Sequence, residues 1–199
     1  AEQGFASLAF DWRGHGESAG NLDDRTLDDV SAAIAYLSRR PEVDKNRLGI
    51  RSTSMGAYMA LHAAALDARL KAVVAIAPAT EAILLAGVAP LKAGKDAIDY
   101  TQGARVQRKP LMAWLEKQNL LAAVPRIAPR AVFFIHCKGD EIIPYQETEK
   151  LYAAAGEPKR LLLLDDGHHR FAQQDGTVHR LSMEWLREAL GPAGRHATV

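Results

Sequence analysis

Short unbroken apolar runs alternate with helix-patterned stretches along this chain, and that alternation narrows its fold more than any other feature. Lys71–Ile76 reads KAVVAI, Ala131–Ile135 reads AVFFI and Leu161–Leu164 reads LLLL. A strand with one wet face alternates apolar and polar residues, whereas continuous runs suit strands buried on both faces of a parallel sheet. Two shorter candidates, Ala6–Phe10 and Leu48–Arg51, extend the series. Helical patterns fall between them. Leu27, Val30, Ile34 and Leu37 recur at helical spacing, Thr26 with Asp29 has the form of a capping box, and Pro41 ends the stretch. Met55–Leu66, Tyr145–Ala155 (closed by Gly156) and Thr177–Leu190 (closed by Gly191-Pro192) are the other helices. The pattern predicts an α/β class, a mostly parallel sheet with helices on both faces.

One span breaks the rhythm. Ala79–Arg130 lies between two strands and carries mixed helical patterns such as Pro110–Leu121. A single crossover does not need so much chain, and in an α/β enzyme such an insertion often covers the site. A single domain over residues 1–199 is expected, with 79–130 as a lid within it and Pro192–Val199 as a frayed tail.

Composition matters here for what it removes. Basic residues number 25 and acidic residues 24, which gives no electrostatic reason to expect nucleic acid or an anionic membrane surface. Cys137 is the one cysteine, so an internal disulfide framework and a multi-cysteine metal site are excluded. The longest uncharged run, Ser52–Leu66, is too short and too polar for a membrane helix. No basic segment followed by an apolar core opens the chain, and a cytoplasmic location is the expectation.

The sharpest local feature is Ile50-Arg51-Ser52-Thr53-Ser54-Met55-Gly56, set between a strand and a helix. A tight turn there thrusts one side chain out at the strand's end, and small residues must flank it because strand and helix approach closely. The turn also presents the next backbone N–H to a developing oxyanion. Ser54 is the nucleophile candidate and the Met55 N–H the oxyanion donor, with Ser52 standing where glycine is usual in G-x-S-x-G. The same residues also suit a plain Ser/Thr-rich helix cap.

A serine needs a base and an orienting acid. Asp140 follows AVFFI in the turn His136-Cys137-Lys138-Gly139-Asp140, where a carboxylate can face the same cleft or merely shape the turn. His168 and His169 follow LLLL and the turn Asp165-Asp166-Gly167. Adjacent side chains in an extended loop point opposite ways, so one of the two can meet Ser54. Phe171 can pack against that loop and fix it, which favours His169. Adjacent histidines rarely ligate one ion, so a metal reading finds no support. Among the remaining candidates, His15 and His62 read as structural or surface residues, Trp114 and Trp185 as packing, His136 as a neighbour of the site and Cys137 as a buried thiol.

Taken in order, DWRGHGES, the approach PEVD to RLGI, then STSMG, HCKGDEIIP and GHHRF resemble α/β-hydrolase-fold serine hydrolases. The resemblance is closest to the dienelactone-hydrolase-like and prolyl-oligopeptidase-like esterases and acyl hydrolases, and it runs from about Phe5 to Leu190. It implies Ser54 as nucleophile, Asp140 as acid, His169 as base, the Met55 N–H as half of an oxyanion hole and Ala79–Arg130 as the variable cap. Dienelactone hydrolases proper use cysteine, so serine in the elbow favours the esterase branch. Family members carry further strands, and the loop with the second oxyanion donor, ahead of the DWRGHGES turn. The expectation is therefore an N-terminally truncated copy of a longer hydrolase, in which the strand that should separate Ala6–Phe10 from Leu48–Arg51 is missing.

The resulting expectation is a serine hydrolase that cleaves carboxylic esters or related acyl bonds of a small molecule, with no cofactor or metal implied. Leu84, Leu85, Leu91, Leu111, Met112 and Trp114 suit an apolar substrate group or the cap's own core. A prolyl-oligopeptidase-like peptidase and a non-catalytic α/β-hydrolase-fold protein are the other readings. Oligomeric state is left open.

Overall fold

The computed structural model describes residues 4–88 and 103–192. Four strands, β1 (Leu48–Thr53), β2 (Leu70–Ile76), β3 (Ala131–Cys137) and β4 (Lys159–Leu164), form one sheet in the order β1-β2-β3-β4. Every neighbouring pair is parallel. Nine helical segments accompany them. These are α1 (Leu27–Leu37), α2 (Met55–Leu66), α3 (Glu81–Val88), α4 (Arg108–Leu115), α5 (Leu120–Ala123), a 3-10 turn (Val124–Ile127), α6 (Tyr145–Ala154), α7 (Phe171–Gln174) and α8 (Gly176–Leu190), counted among the described residues.

Side-chain alternation sends successive strand residues to opposite faces. Val73, Ala75, Val132 and Phe134 join one core with α1, α2, α4, α5 and α6. Ala72, Val74, Ile76, Phe133 and Ile135 join a second core with α8. Both faces are covered, which is why β2 from Ala72 to Ile76 and β3 from Ala131 to Ile135 are apolar at every step. Phe133 packs on Trp185 with ring centroids 5.4 Å apart. α2 is buried continuously from Gly56 to Ala64, and its alanines let it lie close on β1 and β2. Arg47 donates from Nε to the Leu190 carbonyl at 2.9 Å and also bonds Gly191, so a cation closes the C-terminal end of α8. The register brings Thr53, Ile76 and Ile135 level, and Cys137 level with Leu164. The loops that follow all four strands therefore open on one edge of the sheet.

Three expectations are corrected. Ala6–Phe10 is not a strand: it has no ladder partner among the described residues, and Leu8 and Phe10 are exposed. A strand exists only by pairing, and the strand that the family order puts between this run and β1 is not among the described residues. The capping box at Thr26 does not form. The Thr26 hydroxyl turns back to donate to the Asp23 carbonyl at 2.7 Å, while the Asp29 carboxylate accepts from Arg13 instead. The pattern Pro110–Leu121 divides into α4 and α5, with Asn119 capping α5 through its side chain at 2.9 Å from the Ala122 N–H. The tail beyond Pro192 lies outside the described residues, as does the part of the insertion that holds Leu91.

Arg13 explains why α1 can hold the Asp11–Ser18 turn. Its backbone N–H donates to Asp29 Oδ2 at 2.8 Å, its Nε and Nη2 donate to Asp29 Oδ1 at 2.9 and 2.7 Å, and its Nη1 reaches Asp23 at 3.2 Å. Both partners are mostly buried, so removing one leaves a desolvated charge. Asp29→Ala is expected to lower unfolding free energy by about 1–3 kcal/mol, read as a lower urea midpoint at unchanged slope.

Candidate active site

Ser54 occupies the single residue between β1 and α2, and the change of direction falls on its backbone. Its φ is 57° and its ψ −126°, a conformation that costs a side-chain-bearing residue roughly 1–3 kcal/mol. The surroundings hold it there. Its N–H donates to the Ile76 carbonyl at 2.9 Å, and its own carbonyl accepts from Tyr58 at 3.1 Å and Ala79 at 3.3 Å. The turn leaves no room on its inner side. A Cβ added at Gly56 would strike the Ser52 hydroxyl. Met55 is the first residue of α2, so its N–H has no partner within the helix and sits at the positive end of the helix dipole.

Asp140 lies in the loop that leaves β3, with its side chain 1% exposed. Oδ1 accepts from the backbone N–H groups of Ile142 and Ile143 at 2.9 and 2.8 Å. Oδ2 lies 2.7 Å from Nδ1 of His169 and 3.1 Å from Nε2 of His136. Burial alone would push this carboxyl up, but the hydrogen bonds from His136, His169, Ile143 and Ile142 outweigh it and hold the carboxyl well below the usual carboxylate range.

His169 follows β4 in the loop Asp165–Arg170 and is largely buried. Its Nε2 lies 3.0 Å from Ser54 Oγ. A carboxylate only accepts, so Nδ1 donates to Asp140 and Nε2 of the neutral ring accepts from the Ser54 hydroxyl. The backbone N–H of His169 donates to Glu141 Oε2 at 3.1 Å, which ties this loop to the one carrying Asp140. His168 points away, exposed, with its ring 6.4 Å from that of Phe171. Gly167 adopts φ +112°, and a Cβ there would meet the Phe171 ring and Cys137 Sγ, so glycine lets the loop fold down onto β3. Cys137 is buried, and burial pushes its thiol up, away from thiolate character.

A cavity of about 360 Å³ opens beside Ser54 and His169. Met59 of α2, Leu84 and Val88 of α3, and Leu111 and Leu115 of α4 give it apolar walls. His15 and Arg170 are the other polar side chains that line it. His15 was not expected in the wall; its ring is set by an Nδ1–H bond to the Arg13 carbonyl at 3.3 Å. Leu84 and Leu111 line the cavity as the sequence suggested, whereas Trp114 packs edge-on against Tyr58 at 6.1 Å. His62 is buried, with Nε2 3.5 Å from Glu81 Oε1. Glu141 and Thr148 were not singled out in the sequence, since nothing in their spacing distinguishes them from other helix-start and turn residues. No helix among the described residues is long and apolar enough to cross a membrane.

The family model for the prolyl oligopeptidase family matches residues 1–193, and the chain belongs to that family. It is 30% identical over 197 residues to the uncharacterized protein YfhR of Escherichia coli K12, a match that covers 96% of this chain and 63% of that protein. The chain thus spans somewhat under two thirds of the length of the curated relatives it matches first. Among solved structures, the esterase Pf2001 of Pyrococcus furiosus superposes with a TM-score of 0.71 at 24% identity, over 96% of this chain and 73% of that one. The α/β hydrolase GrgF of a Penicillium species superposes with a TM-score of 0.70 at 18% identity, over 90% and 78%. The fold is that of the α/β hydrolases.

Two outcomes follow from this geometry. Gly56→Ala is expected to cost about 1–3 kcal/mol through overpacking against Ser52, and the double variant Ser52→Gly/Gly56→Ala to recover most of it, measured by denaturant unfolding. Because the folded Asp140 carboxyl lies below its unfolded value, the stability it supplies is fully present above about pH 4 and is lost as pH falls through the folded value. The stability gap between the wild-type chain and Asp140→Asn is therefore expected to be widest near neutral pH and to narrow from pH 4 downward.

Proposed function

We propose that this prolyl oligopeptidase family member is a serine hydrolase that cleaves carboxylic esters with an apolar acyl group. The observation that carries the reading is one line of hydrogen bonds, Asp140 to His169 at 2.7 Å and His169 to Ser54 at 3.0 Å, ending at the mouth of an apolar cavity.

In this mechanism Ser54 Oγ attacks the ester carbonyl carbon while His169 Nε2 takes the hydroxyl proton. Asp140 keeps Nδ1–H in place and stabilises the imidazolium that forms. The carbonyl oxygen becomes an oxyanion beside the Met55 N–H. The tetrahedral adduct collapses, His169 returns its proton to the departing alcohol oxygen, and an acyl-serine remains. Water, relieved of a proton by His169, then attacks the acyl carbon, and the carboxylic acid leaves as Ser54 Oγ regains its proton. The acyl chain rests against Met59, Leu84, Val88 and Leu111, with α3 and α4 of the insertion acting as the cap over it. Family membership favours peptide bonds as a second reading; the apolar walls favour esters.

The test is intact-mass labelling with a fluorophosphonate. One adduct is expected on the wild-type chain and none on Ser54→Ala. Esters of 4-nitrophenol with acyl chains of increasing length, run beside aminoacyl amides, read the substrate: faster release from butyryl and hexanoyl than from acetyl supports the apolar pocket, and turnover of amides alone selects the peptidase reading. Leu111→Trp is expected to slow the longer esters at least several-fold while leaving the acetyl ester within about twofold.

A further inference from the structure

The Asp140 carboxylate serves two imidazoles, and the mechanism above uses one. His136, the penultimate residue of β3, is fully buried four residues before Asp140. Its Nε2 lies 3.0 Å from the Ile143 carbonyl and 3.1 Å from Asp140 Oδ2. Both partners only accept, so Nε2 carries a hydrogen and shares it between them. Nδ1 lies 2.6 Å from the hydroxyl of Thr148, itself fully buried in the first turns of α6. With Nε2 protonated, Nδ1 of the neutral ring accepts, and Thr148 donates. The ring is therefore locked in one tautomer, with its single N–H aimed at the oxygen that also holds His169.

We propose that His136 is a positioning residue of this site: its Nε2–H draws on the charge of Asp140 Oδ2 and so sets how strongly that carboxylate holds the His169 proton. The inference rests on the reading of His169 as the base. A carboxylate oxygen with one N–H donor keeps more charge for that donor than an oxygen with two. Sharing Oδ2 keeps the Asp140–His169 bond from becoming too strong, so that the His169 ring releases its extra proton readily within a turnover. The other titratable groups around the pair are few. Glu141 reaches the backbone N–H of His169, His15 and Arg170 line the cavity with it, and Cys137 neighbours His136 on β3. None of these donates to Oδ2 among the described residues.

The variants separate a hydrogen bond from mere packing. His136→Gln can present an amide N–H where Nε2 stood, whereas His136→Asn reaches only the place of Nδ1. Thr148→Val keeps the ring and removes the donor that makes Nε2–H a strong one. Two readouts are needed. The first is the pH profile of the fluorophosphonate labelling rate. Its midpoint is expected to move up by about half a unit to one unit in the Asn variant, less in Thr148→Val, and to stay near wild type in the Gln variant, with plateau rates at high pH within about twofold. The second is the downfield proton resonance of the His169–Asp140 bond, which needs no activity. It is expected to move further downfield in the Asn variant and to hold in the Gln variant. Asn and Gln variants that both lose plateau rate with midpoint and resonance unchanged would overturn the proposal. A wild-type chain that takes no label, yet shows the resonance shift in the Asn variant alone, would overturn the serine-hydrolase reading and support the sharing of Asp140 Oδ2.

Discussion

A buried carboxylate has to be solvated by the protein, and the solvation of Asp140 organises everything around the site. Two backbone N–H groups from its own turn occupy Oδ1, and two imidazoles occupy Oδ2. Those four bonds join the end of β3, the turn to Pro144, the start of α6 through Thr148 and the loop after β4. A group this deeply desolvated depends on its donors together, because an unsatisfied buried charge costs several kcal/mol. The loops are consequently fixed relative to one another by the same bonds that hold the His169 ring against Ser54. Stability and alignment are here one requirement.

The sheet supplies the other half of that alignment. Parallel strands in register end together, so Ser54, Asp140 and His169 come from the ends of β1, β3 and β4 without any one loop being long. The chain then stores strain at the positive φ of Ser54 and offsets it with hydrogen bonds from β2 and α2. Residues after β2 do something different. α3 and α4 do not extend the sheet; they turn back and wall the cavity with Leu84, Val88, Leu111 and Leu115. Chemistry is placed by the rigid layer and the apolar surface by the insertion, which lets one vary while the other stays.

Much of this was legible because burial on two faces leaves a plain mark. β2, β3 and β4 read as continuous apolar runs, and α2 as a small-residue helix directly after a turn. The failures have a common cause: each depended on a partner that the local pattern does not reveal. Ala6–Phe10 has strand composition, but composition supplies no neighbour to pair with. Thr26 and Asp29 have capping-box spacing, yet Arg13 takes the carboxylate and Asp23 the hydroxyl. Of the adjacent histidines, Phe171 favours His169, and the structure adds Gly167, whose φ lets the loop drop onto β3. Thr148 carried no signal, since a threonine early in a helix looks the same whether it caps, packs or fixes a tautomer.

Activating a serine and turning over a substrate make different demands, and this architecture separates them. In the proposed mechanism the base and acid need only the ends of β1, β3 and β4, all of which the described residues contain. The oxyanion needs donors aimed at the carbonyl oxygen, and α2 offers one in the Met55 N–H. One oxyanion donor is worth about 10²–10³ in turnover. A phosphonylating probe draws on the nucleophile, its base and, through its phosphoryl oxygen, the same N–H donors that an ester oxyanion meets. In the proposed mechanism ester turnover passes through two oxyanions, one in acylation and one in deacylation, whereas labelling passes through one charged phosphoryl oxygen, so a missing donor is expected to lower turnover more than labelling.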